Sequence, residues 1–83
     1  MKRHTDYTQE QMQAGEVVGV SDVTGMIGKV WEGNDGWYGE VADENDYCQG
    51  AAHGVSTRSE AERLVKEEIA MIDQTAHNYT QVW

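Results

Sequence analysis

The 83-residue sequence contains no proline, no phenylalanine and a single cysteine. Without proline there is no slow cis/trans step and no rigid proline-rich linker, so glycine has to punctuate the chain. Without phenylalanine the core must be assembled from Val, Ile, Met and Ala around three Trp and four Tyr, which leaves packing to a few large rings. Cys48 alone cannot close an internal disulfide, so nothing points to an oxidising compartment. No stretch approaches the ~20 apolar residues of a membrane span. Lys2 and Arg3 have the charge of a signal-peptide start, but residues 5–13 are polar where an apolar run of ~7–15 residues is needed. The expected location is the cytoplasm.

Basic residues are also scarce: 15 acidic against 6 basic side chains give a formal charge of −9. That balance argues against affinity for phosphate backbones, and so against direct nucleic-acid binding. It leaves two uses for the acidity, solubility or a surface meant for a basic partner. A chain this short buries only ~60–65% of its unfolded surface, which is room for one domain with one core.

Residues 1–25 read as an N-terminal arm. Asp6, Tyr7, Glu10 and Met12 give faint helical spacing, and a β-branched cluster of Val17, Val18, Val20 and Val23 forms a first strand closed by Thr24 and Gly25. Residues 26–83 carry the rest. Two β-favouring runs, 26–32 and 37–42, flank Gly33, Asn34, Asp35 and Gly36, the turn chemistry of a β-hairpin. Two registers fit. A two-residue turn sets Val30 opposite Val41, whereas a four-residue loop sets Trp31 opposite Tyr38 and Lys29 opposite Glu40, and the choice decides which Trp is buried. A further strand follows over 47–53, with Gly50, Ala51 and Ala52 small enough for a helix to pack closely above it.

Thr57 and Glu60 have capping-box spacing, so a helix begins there. Ala61, Val65, Ile69, Ile72 and Ala76, with Leu64 beside them, form one apolar stripe, and Glu62 is placed to pair with Lys66 at i,i+4. The fold class expected is α+β: an antiparallel sheet of three or four strands in meander order, with one long C-terminal helix packed on one face. Tyr79 and Trp83 are left in a short tail, where Trp83 either folds back on the core or serves as a docking anchor.

Catalytic chemistry finds little purchase. Cys48 and His53 lie five residues apart on one strand, which places them on opposite faces, and Cys48 reads as a small core residue. His4, Cys48, His53 and His77 lack the close pairing of zinc sites, and Asp43, Asn45 and Asp46 form a turn in which Tyr47 stands where a calcium loop needs an oxygen. Gly25, Gly28, Gly33, Gly36 and Gly39 precede strands rather than a helix, which suits turns and close backbone approach and not phosphate binding. The expectation is a non-catalytic protein with no metal and no cofactor.

Charge is what remains. Between Lys29 and Arg58 the chain carries Glu32, Asp35, Glu40, Asp43, Glu44 and Asp46 and no Lys or Arg. Acidic side chains on one strand face repeat at ~7 Å and can engage a phosphate-binding groove. With Trp37 and Tyr38 as aromatic neighbours, these six acids are the candidate partner-binding residues. The expected partner is a basic nucleic-acid-binding protein or complex, and a homodimer is also open.

The order hairpin, third strand, Gly, Thr, helix resembles the HicB-like antitoxin domain, a truncated RNase H-like sheet with one packed helix. Gly36, Trp37, Tyr38, Glu40, Val41 and Asp43 are similar to that family's aromatic strand and acidic turn, and Cys48 lies near its usual cysteine. Gly54, Thr57, Glu60, Ala61, Lys66, Glu67 and Ile69 resemble the start and body of its helix. The likeness spans about residues 26–72, lacks the Pro before the family's Gly-Cys turn, and implies neutralisation of a small RNase toxin without operator binding. In composition alone, the chain also resembles phage-encoded anti-restriction and anti-CRISPR inhibitors. Both resemblances imply occlusion of a protein that handles nucleic acid.

Overall fold

The computed structural model describes residues 9–43 and 48–80. In chain order these form α1 (Gln9–Gln13), β1 (Glu16–Val20), β2 (Ile27–Glu32), β3 (Trp37–Ala42), β4 (Cys48–Val55) and α2 (Arg58–Thr80). The four strands pair antiparallel in the order β1-β2-β3-β4, a meander, and α2 lies across one face of the sheet. The expected α+β class is the one observed.

Local chemistry accounts for the element boundaries. The Thr57 hydroxyl accepts a hydrogen bond from the Glu60 amide (3.2 Å) and the Thr57 carbonyl one from the Ala61 amide (3.2 Å), which is the N-cap that starts α2. The hairpin uses the longer loop: the Gly33 amide donates to the Gly36 carbonyl at 2.7 Å, and Trp31 stands opposite Tyr38 and Lys29 opposite Glu40. Gly36 (φ 145°) has to be glycine, because a Cβ there would lie 2.7 Å from the Gly54 backbone where β4 crosses the turn.

The register divides the side chains between two faces. Gly28, Val30, Gly39 and Val41 meet α2, whose Ala61, Val65 and Ile69 are buried, while Leu64 and Ile72 are only partly covered at the margins of the stripe. Val65 sits over two glycines. A Cβ on Gly28 would lie 2.3 Å from Val65 Cγ1, and one on Gly39 would lie 2.4 Å from Val65 Cγ2. Close helix approach therefore depends on β2 and β3. Gly50, expected to serve that purpose, faces open space, and of the small residues on β4 only Ala52 is buried in the core.

Trp31 and Tyr38 lie on the opposite face from α2, yet both are buried. Their rings stack at 6.2 Å and 12°, and His53 meets Tyr38 edge-on at 4.9 Å. This second aromatic cluster spans β2, β3 and β4, and α1 packs against β2, the strand that carries Trp31. Trp37, on the α2 face, is half-buried against the main core.

Two side-chain ties hold the layers in register. The buried Ser21 hydroxyl donates to Asp73 Oδ1 on α2 (2.7 Å) while accepting from the amides of Val23 and Thr24, and the Thr24 hydroxyl reaches the same carboxylate at 3.0 Å. At the other end, Arg58 donates to Glu62 and to Glu16, each at 2.6 Å, joining the start of α2 to the start of β1. Glu62 is thus engaged by Arg58 and not by Lys66 as its spacing suggested, because Arg58 reaches both its own helix and the sheet.

Candidate interaction surface

The six acids expected to share one face do not do so. Glu32 stands opposite Trp37, so it belongs to the α2 side of the sheet, whereas Glu40 stands opposite Lys29 on the other side. Glu32 and Glu40 are eight positions apart across a turn, so strand alternation restarts with the opposite phase. Asp35 sits in the turn, where its Oδ1 accepts the Tyr38 hydroxyl. Asp43 is half-buried just beyond β3, and Glu44 and Asp46 lie outside the described residues. Trp37 and Tyr38 are likewise split between the two faces, and Tyr38, 2% exposed, is a core ring with no area to offer a partner.

Cys48 is exposed rather than buried, and its relation to His53 differs from simple alternation. Gly39 pairs with Ala52 but Glu40 with Gly50, so Ala51 is an extra residue in β4. This bulge reverses the phase, and Cys48, Gly50 and His53 all fall on the face away from α2. At ~3.3 Å per residue the thiol and imidazole are still separated by roughly 13 Å along the strand, too far to act as a nucleophile–base pair. Among the described residues, no group of three or more His, Cys, Asp or Glu is gathered to hold a metal ion, and no helix is long and apolar enough to cross a membrane. His4 and Trp83 lie outside the described residues, and so does the tail role considered for Trp83.

The face away from α2 carries features that alternation alone did not bring together. Its β1 and β2 rows expose Val17, Val20 and Ile27, with Val23 exposed in the following turn. From Ile27 a shallow groove of about 290 Å³ runs across Lys29, Glu40, Ala42 and Asp43. An apolar centre with a polar rim is the usual anatomy of a protein interface.

Electrostatically, the described cations are Lys29, Arg58, Arg63 and Lys66. Arg58 is held by Glu62 and Glu16, and these hydrogen bonds, Glu62 first, raise its pKa above the usual guanidinium value. Arg63 donates to Glu67 at 2.8 Å, and Lys29 faces Glu40 across the β2–β3 ladder. Both described arginines are thereby matched at close range, while Asp22, Glu32 and Glu60 remain exposed.

The chain matches no protein-family model, no curated protein and no solved structure.

Proposed function

We propose that this protein is a non-catalytic acidic inhibitor that binds a basic, nucleic-acid-handling protein in the cytoplasm and occludes its substrate site. The observation that carries this reading is the one-sided charge: a −9 chain whose Arg58 and Arg63 are already bound by its own carboxylates presents a net anionic surface to any encounter. A groove built to hold phosphates supplies the complementary field, as in a nucleic-acid mimic of the anti-CRISPR or anti-restriction kind. Glu40 and Asp43 line the groove that begins at Ile27, and they are assigned, together with Glu44 and Asp46 further along the sequence, as the acids that engage the partner.

The test is capture of the partner from host lysate, followed by reversal of Glu40, Asp43, Glu44 and Asp46 to Lys. Capture should fail with the variant, and wild-type association should weaken strongly by ~0.5 M salt, where the Debye length falls to ~4 Å. A folded variant that retains the partner at unchanged affinity would refute the reading. The second reading is an antitoxin of the HicB-like kind, favoured by the observed order of hairpin, third strand and Thr57-capped helix. It requires a small RNase as partner and a grip that survives salt, because apolar and strand-edge contacts carry it.

A further inference from the structure

We infer that the outer edge of β1 is a docking strand that accepts an extended, basic segment of the protein this chain binds. The inference rests on the reading of the chain as an acidic binding protein and adds the mode of attachment. β1 ends the sheet and pairs only with β2, and among the described residues no strand pairs with its other edge. An edge strand offers a row of main-chain donors and acceptors to any extended chain that reaches it.

Side chains distinguish this edge from the other one. Val17 (51%), Val20 (63%) and Ile27 (42%) are exposed together on the face away from α2, with Val23 just beyond. Met71 is the remaining large apolar side chain left exposed among the described residues. β1 contains no Lys, Arg or Pro, and its guards are its shortness, one charged residue at its start, Glu16, and a bulge at Val18. β4, the opposite edge, exposes Cys48, Gly50 and His53, which give an incoming strand little apolar area to cover.

The occupant follows from charge and size. Glu16 opens β1 and is 63% exposed despite its contact with Arg58, and exposed Asp22 lies just past its end, so carboxylates bracket the apolar row. A second copy would bring −9 against −9, and a five-residue strand offers far less than the ~800 Å² per partner of a stable dimer. An extended segment alternating apolar and basic residues satisfies both terms: its apolar side chains cover Val17 and Val20, and its cations reach Glu16 and Asp22.

A synthetic peptide of about ten residues alternating Val and Arg, long enough to span such a strand, provides the probe. Titrated into the full chain, it should shift the amide resonances of residues 16–20 and slow their hydrogen exchange. Replacing Val17 and Val20 together by Ser leaves the charge unchanged and removes the apolar row. Affinity for the probe should then fall about tenfold or more, since burying one Val is worth ~1.5 kcal/mol and ~1.4 kcal/mol is tenfold. Protection appearing in β4 instead, or β1 protection accompanied by dimerisation without peptide, would overturn the inference. Equal binding of a Val/Arg peptide interrupted by a central Pro would also overturn it, while leaving acid-driven binding intact. Equal binding of a Val/Glu peptide would remove the basic occupant and count against the acidic reading as well.

Discussion

Replacing Gly39 by Ala tests whether the close seating of α2 on the sheet is set by two glycines under one valine. The new Cβ would stand 2.4 Å from Val65 Cγ2 and 3.2 Å from the Lys29 carbonyl oxygen. The first distance is more than about 1 Å short of the ~3.5–4.0 Å at which carbon atoms pack. Val65 cannot turn aside: it is fully buried, and a β-branched side chain in a helix has one strongly preferred rotamer. The helix must lift, at an overpacking cost of ~1–3 kcal/mol, against which the reduced freedom of the unfolded chain returns only ~0.4–1. A net loss of about 1 kcal/mol is expected, which at a urea m-value near ~1 kcal/mol/M lowers the midpoint by about 1 M, readable by Trp fluorescence. Val65→Ala alone should cost about 2–3 kcal/mol through two lost methyls and a cavity. In the Gly39→Ala background the same truncation makes room for the new methyl and should cost about 1–2 kcal/mol less. Additive losses, or a Gly39→Ala protein as stable as wild type, would show that the helix does not rest on these glycines.

Two further outcomes follow from particular contacts. Asp73→Ala removes the acceptor shared by Ser21 and Thr24 and leaves the buried Ser21 hydroxyl without its carboxylate, so stability should fall by ~1–3 kcal/mol. Amide exchange in residues 21–26 should accelerate beyond the global change, and uniform acceleration would refute a local tie. Exposed Cys48 should react with an aromatic disulfide reagent in the native protein at a rate that denaturant raises only modestly, whereas a thiol protected until unfolding would contradict its place on the open face.

Sequence determined what short-range chemistry controls. Thr57 and Glu60 announce the cap because an orphan amide needs an oxygen at that spacing, and the stripe Ala61, Val65, Ile69 names the buried side of α2 because helical period leaves one face for it. Asn34, Asp35 and the flanking glycines mark the hairpin, whose two candidate registers are both consistent with its turn residues. Tertiary structure decided the register, and with it the burial of Trp31 and Tyr38 and the placing of Glu32 and Glu40 on opposite faces. It also decided the exposure of Cys48, through an extra residue at Ala51 that no local propensity encodes. The physical reason is the two-residue period of a strand: one slip or one bulge exchanges every side chain between core and solvent. Only the fit of α2 over Gly28 and Gly39 discriminates between the alternatives, and that fit is made by residues from three separate elements.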